Sequence, residues 1–367
     1  MRGPAVSLSQ MSFDGTSPAD EPRQILVVRL GALGDIIHTL PAVVRLKCSF
    51  PRASISWAVE PRWAPLLKDN PYIDEVIPLP IPEWRKRVFS ATTRREFAEL
   101  RFRLRATRFD LAIDFQGLLK SALVTYFSRA ERVFGFDRLA AREKLAASFY
   151  SDPVRMTAAH VVERNLALAA AAGARRGELD FPLPEGVPSD SLPSGDYVLA
   201  SPVAGWKSKQ WPAEHYLELA DRLWSERQIP LVIDCGPGDR EIAEGLAAEA
   251  ADGAIRIHIS PLEGLIAATR RARAMVGVDS GPLHLAAALG IPGVAIYGPT
   301  DPARNGPYRS RVKVLRAAGA EITYKRADTI HPSMRAILPG DVWGVLRPLL
   351  DEGIAGRLRE NSARIST

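Results

Sequence analysis

The sequence predicts an α/β protein of two successive domains, each built on a parallel sheet. Three observations carry that prediction. An apolar strand running through a glycine turn into a helix opens the ordered chain at residues 24–44. The same strand–turn–helix alternation restarts after residue 196. Between the two blocks, residues 175–196 are rich in Pro, Gly and Ser and lack periodicity, which reads as a linker. The length of 367 residues agrees, since single domains cluster at ~100–200 residues. Alternating strands and helices imply parallel sheets, and two such blocks imply two Rossmann-like domains facing each other across a cleft.

The first block is organised around QILVVRLGALGDIIHTLPAVV, residues 24–44. A buried strand is expected over 25–30, then a tight turn in which Gly31 and Gly34 let the backbone bend sharply. Asp35 follows in the first turn of a helix, just past a strand's carboxyl end, where open α/β sheets bind ligands. The helix dipole favours its anionic form. Two readings stand side by side: a general base, or a residue that caps the helix. The next strands are SISWAVE at 54–60 and a short one at 76–79. Glu60 invites comparison with the dinucleotide fingerprint, which needs GxGxxG and an acidic residue ~20 positions on. Only Gly31-x-x-Gly34 is present, so a dehydrogenase reading lacks its third glycine.

Residues 85–108 hold much of the excess positive charge. Phe97, Leu100 and Leu104 recur at helical spacing among arginines, as on a solvated amphipathic helix. Trp84, Arg85 and Lys86 are expected in the loop entering it, where aromatic and basic side chains suit an anionic ligand. An anionic membrane surface is an alternative partner, and nucleic acid ranks last because no nucleic-acid module is legible. DLAIDF at 110–115 is another buried strand, followed by Gln116-Gly117-Leu118-Leu119-Lys120. In a parallel sheet Gln116 and Lys120 share an edge with Asp35. Residues 134–149, which include Arg142, show no clear period; a long helix follows and closes at Gly173.

In the second block a strand over 197–202 leads into VAGWKSKQWP, then a helix, then a strand over 230–234. The glycine turn Cys235-Gly236-Pro237-Gly238 opens the next helix, with Glu241 in its first turn. The block peaks at AMVGVDSGPLHLAAALGIPGVAIYGP, residues 274–299. There a strand ends at Val278, Asp279 or Ser280 can cap the following helix, and Pro282 suits its first turn. The Ser280 and Gly281 amides at a positive helix end make a seat for phosphate, and His284 in the first turns either reaches the same anion or is a structural histidine. The loop 297–302 can close over a ligand. The last helix, 341 to about 353, is expected to pack back on the first domain.

Composition narrows the class. Hydrophobic residues make up 46% and charged residues 25%, as in an ordinary globular protein. No apolar run approaches the ~20 residues of a membrane span. Residues 1–21 have no apolar h-region and read as a disordered extension rather than a targeting peptide. Cys48 and Cys235 are too few and too far apart for a disulfide or metal framework, which points to the cytoplasm. A net charge of +6 and a pI near 9.4 point to anionic partners.

RLGALGDIIHTLPAV, DFQGLLKSA, KQWP and VDSGPLHLAAALGIPGVAIYGPTDP together resemble the lipopolysaccharide heptosyltransferases of glycosyltransferase family 9. The similarity spans residues 24–350, and QGLLKSA with the 84–90 run resembles the type I branch rather than type II. The resemblance implies a GT-B fold with an N-terminal extension at 1–23, an acceptor-binding domain at 24–185 and a donor-binding domain at 186–340. The remaining helix, 341–367, would complete the first domain. It implies transfer of L-glycero-D-manno-heptose from ADP-heptose to the Kdo of lipid A–Kdo, with inversion, no cofactor and no obligatory metal. The implied place is the cytoplasm, peripherally on the inner face of the inner membrane. Asp35 matches the family's general base. Lys209, Asp279, Ser280, Gly281 and His284 match its donor site, and Glu241 its adenosine contact. Ala204 and Gly205 stand where members often carry Thr or Ser, so backbone N–H groups would replace hydroxyls there. Gly34, Trp84, Arg85, Lys86, Gln116, Lys120 and Arg142 fall on the acceptor side. A type II enzyme acting on an inner-core heptose, and a non-catalytic sugar-nucleotide or polyanion binder, are the alternatives.

Overall fold

The computed structural model describes residues 21–365, with side chains through residue 352. The expected N-terminal extension lies almost wholly outside the described residues. The chain divides into two units, Met1–Pro184 and Glu185–Thr367, the division falling inside the Pro- and Gly-rich stretch.

The first unit carries six parallel strands: β1 Gln24–Val28, β2 Ser54–Val59, β3 Glu75–Pro78, β4 Leu111–Asp114, β5 Arg132–Phe136 and β6 Asp152–Val154. Their order across the sheet is β3-β2-β1-β4-β5-β6. The inner strands are apolar runs buried on both faces, as helices on either side of a parallel sheet require. On one face Leu26, Val28 and Ala112 pack with Leu104, Phe109, Ala122 and Val124. Helix Leu40–Ser49 packs against helix Val161–Ala171.

The second unit repeats the plan with β7 Val198–Ser201, β8 Leu231–Cys235, β9 Ile255–Ile259, β10 Ala274–Val278, β11 Gly293–Tyr297 and β12 Val312–Arg316. Their order is β12-β11-β10-β7-β8-β9. Counted from its own first strand, each sheet therefore has the doubly wound order 3-2-1-4-5-6. Strand order reverses between β1 and β4 in one unit and between β7 and β10 in the other. At those two points the loops leave the sheet in opposite directions and open a crevice at the strands' carboxyl ends. Both sequence stretches singled out above end there.

The sequence reading passed over β5, β6, β9 and β12. β6, β9 and β12 are edge strands with polar or half-exposed residues, and β5 is interrupted by Gly135, so none shows the continuous apolar run of a central strand. The C-terminal helix, Pro339–Ile365, corrects a second expectation. Val342, Trp343, Leu346 and Leu350 form one stripe of it and belong to the core of the second unit, with Trp211, Tyr216 and Leu219. Trp211 Nε1 donates to Ile337 O at 2.8 Å just before the helix begins. The part of the helix described with side chains, through residue 352, thus packs into the core of the second unit.

Candidate active site

At the first switch point the short helix Leu33–Ile37 follows β1 and presents Asp35. Arg29, at the end of the strand and 3% exposed, donates through Nη2 to Asp35 Oδ1 at 2.7 Å. Its Nη1 donates to Phe115 O beyond β4. Arg142 Nη1 lies 3.4 Å from Asp35 Oδ2, and the Ala32 amide points to the same oxygen at 3.4 Å. Asp35 keeps 24% of its side chain open to solvent. Burial pushes its pKa up, but the Arg29 and Arg142 charges and the Ala32 N–H outweigh that, and the carboxyl sits below its usual range. The result is an accessible carboxylate held ionised.

Neighbouring groups fix this edge of the sheet. Gln116 Oε1 accepts from Leu30 N at 2.7 Å, tying the β4 turn to the β1 turn. Lys120 Nζ meets Glu60 Oε1 at 3.1 Å, and Arg62 meets Glu60 Oε2 at 3.0 Å. Gly34 lies buried within the Asp35 helix, its carbonyl accepting from His38 N at 2.9 Å. A Cβ at Gly31 would fall 2.8 Å from Trp63 Nε1, so the turn is glycine for want of room.

Trp84, Arg85 and Lys86 are not in a loop. They lie in helix Ile81–Lys86, because Pro82 is compatible with a first turn. Trp84 is engaged structurally: its Nε1 donates to Glu96 Oε2 at 2.8 Å and its ring meets Phe97 edge-on. Arg85 and Lys86 remain exposed, beside Val88 and a Phe89 that is 94% exposed.

At the second switch point Asp279 sits between β10 and helix Gly281–Ala288. Lys209 Nζ donates to Asp279 O at 2.7 Å and approaches Oδ2 at 3.1 Å. Asn305 Nδ2 donates to Oδ1 at 2.9 Å, and His284 Nε2 lies 3.5 Å from Oδ1. Burial raises the pKa of Asp279, yet His284, Lys209 and their hydrogen bonds bring it well below the usual value. Ser280 is the N-cap residue of the helix, but its side chain makes no cap bond. The hydroxyls of Ser280, Ser208 and Thr300 are shielded from solvent and bond to nothing among the described residues. They follow β10, β7 and β11, three adjacent strands, so they stand along one edge of the sheet. Ala204 is buried, while a Cβ at Gly205 would meet open space. Glu241 is exposed in the first turn of helix Arg240–Glu249, beyond β8.

The structure brings Lys209, Asp279, Ser280, Gly281 and His284 together at one switch point and puts Asp35 at the other; sequence reasoning passed over Arg29 beside Asp35, and Ser208 and Thr300. Arg29 had a signal, a charge closing an otherwise apolar strand. The two hydroxyls had none, because only the fold aligns them with Ser280. Among the described residues no three or more His, Cys, Asp or Glu side chains gather as metal ligands.

Residues 97–332 match the family model described as glycosyltransferase family 9 (heptosyltransferase). The chain belongs to glycosyltransferase family 9. The lipopolysaccharide heptosyltransferase 1 of Pseudomonas aeruginosa is 37% identical to this family 9 enzyme over 323 residues, 84% of this chain and 88% of that protein. The protein of the same description from Escherichia coli K12 is 34% identical over 307 residues, 80% and 93% of the two chains. The solved structure described as E. coli heptosyltransferase WaaC with ADP superposes with a TM-score of 0.75 at 30% identity, covering 89% of this chain and 99% of that one. The two doubly wound units of this glycosyltransferase are accordingly those of a GT-B fold.

Proposed function

We propose that this family 9 glycosyltransferase moves heptose from ADP-heptose to the Kdo of the lipid A–Kdo inner core in lipopolysaccharide biosynthesis, inverting the anomeric centre. The observation that carries the reading is Asp35: a solvent-reachable carboxylate kept ionised by two arginines at the switch point of the first unit. Asp35 takes the proton of the acceptor hydroxyl as its oxygen attacks the anomeric carbon of heptose. The bond from that carbon to the β-phosphate oxygen breaks, and ADP leaves with the electron pair. One displacement at one carbon inverts it.

The second unit supplies the leaving-group chemistry. Lys209, the Ser280 and Gly281 amides at a helix N-terminus, and the hydroxyls of Ser208, Ser280 and Thr300 are donors suited to a diphosphate. The three hydroxyls offset the loss of side-chain donors at Ala204 and Gly205. His284 beside Asp279 and Glu241 beyond β8 complete the donor side. Arg85, Lys86, Lys120 and Arg142 suit the carboxylates and phosphates of the acceptor. Among the described residues no helix is long and apolar enough to cross a membrane. Exposed Phe89, Val88 and Phe102 among the arginines of residues 85–108 suit peripheral contact with an anionic bilayer, where the acceptor's acyl chains stay.

The test is one assay: purified protein, ADP-heptose, and lipid A–Kdo in anionic vesicles. Heptosylated product, ADP release and sedimentation with the vesicles are the expected results. Transfer only to an inner-core heptose would move the enzyme to the type II reaction. Binding of ADP-heptose with no ADP release would leave a binding protein.

The electrostatics of Asp35 give a pH signature. A carboxyl held below its usual value of 3.8 is already ionised at pH 5, so kcat/KM should show no acid limb from Asp35 between pH 5 and 8. Arg142→Ala removes one of the two cations, and the acid limb should move to higher pH. A profile identical to that of the parent chain would take Arg142 out of the tuning of Asp35.

A further inference from the structure

Asp114 ends β4 and is wholly buried. Its Oδ1 accepts from Gln116 N at 2.8 Å and Gly117 N at 3.2 Å, and its Oδ2 from Ser121 Oγ at 2.7 Å and Tyr150 OH at 2.7 Å. Four donors converge from two sides, which only a carboxylate can accept in full. Burial drives the Asp114 pKa up against these four bonds, so the arrangement carries a desolvation cost. Part of the sheet is shaped to receive it. Gly135, the register partner of Asp114 on β5, leaves room for the Tyr150 ring, and a Cβ there would clash with it at Cε2.

Holding a loop is the ordinary use of such a residue. Here the locked turn, with Gly117 at φ +68°, also has two links that run to the neighbouring strand. Gln116 Oε1 accepts from Leu30 N at 2.7 Å, and Phe115 O accepts from Arg29 Nη1. Arg29 then grips Asp35 at 2.7 Å through its other nitrogen. An unbroken chain of bonds leads from Tyr150 and Ser121 through Asp114, the turn and Arg29 to the carboxylate of Asp35.

We propose that Asp114 is a positioning residue for heptosyl transfer: by locking the 115–117 turn it aims Arg29, and through Arg29 the Asp35 carboxylate, at the acceptor hydroxyl. The proposal rests on Asp35 as the base. A misplacement of ~1 Å at a reacting group can cost ~10²-fold in rate. Asp114→Ala should therefore lose about 10- to 100-fold in kcat per folded molecule. KM for ADP-heptose should stay within about twofold, because the donor's side chains belong to the second unit. Asp114→Asn offers its oxygen to the two turn amides and its NH₂ to the Tyr150 and Ser121 oxygens. It should bring kcat back to within about threefold of the parent chain.

The experiment measures kcat and KM for both variants and for Asp35→Asn, with the folded fraction from circular dichroism. Asp114→Ala with parental kcat per folded molecule overturns the proposal, and so does Asp114→Asn as slow as Asp114→Ala. Should Asp114→Ala fail to fold, the Tyr150→Phe/Ser121→Ala double variant takes its place. It removes only the two supporting hydroxyls, and a fall in kcat of about threefold or more at unchanged KM is expected, parental kcat being the overturning result. Asp35→Asn separates the two claims. If it retains turnover, the base reading falls; if it is inactive while Asp114→Ala keeps the parental kcat, only the positioning falls.

Discussion

Asp35→Asn is expected to reach the parental fold and to lose about 10²–10⁴ in turnover per folded molecule, the usual contribution of a general base. Asparagine is the sharper substitution than alanine because of Arg29. That guanidinium is buried and bonded to Asp35 at 2.7 Å, and an amide oxygen can still accept from it. Asp35→Ala leaves the buried cation without its carboxylate, and breaking such a pair costs ~3–5 kcal/mol. Alanine should therefore lower the thermal midpoint further than asparagine, which gives up the charge but keeps a hydrogen bond to the guanidinium. Donor binding supplies an internal control. ADP should shift the melting temperature of Asp35→Asn as it shifts that of the parent chain, since the groups proposed to bind the diphosphate all lie in the second unit. Turnover within about tenfold of the parent would remove Asp35 from the base role.

Lys209→Ala carries the second large effect. Removing one donor aimed at developing negative charge costs ~10²–10³ in kcat at comparable sites, and Lys209, bonded to Asp279, is the cation proposed for the donor site. ADP affinity should fall with it. Stability should fall too, because Asp279, 6% exposed, loses its closest cation and keeps Asn305 and His284. The pH dependence of that loss has a definite sign. The folded pKa of Asp279 is depressed, so its ion pairing stabilises the fold above the usual value of 3.8 and ceases as pH falls through the folded value. The deficit in melting temperature of Lys209→Ala should thus be largest near neutrality and shrink in acid. A deficit independent of pH would mean that Lys209 supports the loop by packing and not by charge.

The legible part of the site was whatever local chemistry dictates. Gly31 and Gly34 around a strand end, Pro282 and Ser280 at a helix start, and a lone Asp behind each turn are short-range patterns. They mark a switch-point turn whichever strands flank it. The same logic misplaced Trp84, Arg85 and Lys86. A basic aromatic run reads as a loop, but Pro82 starts a helix there, and Trp84 turns to Glu96 and Phe97. The C-terminal helix was recognised as a helix, but the stripe Val342–Leu350 packs in the second unit's core where the first was expected, since an apolar stripe says that a helix is buried but not against what.

The sequence by itself determined that this protein has two doubly wound halves, that each half carries a glycine turn fit for a ligand, and that Asp35 and Asp279 sit behind those turns. Such features follow from backbone sterics and dipoles within a few residues. Only the tertiary structure decided what surrounds the two carboxylates. Arg142 reaches Asp35 across 107 positions, and Lys209 reaches Asp279 across 70. Asp114 acts on the β1 turn only because β4 lies beside β1. Charge and hydrogen bonding act through a few ångströms of space, and strand order, which the chain's local patterns leave open, determines which groups come that close.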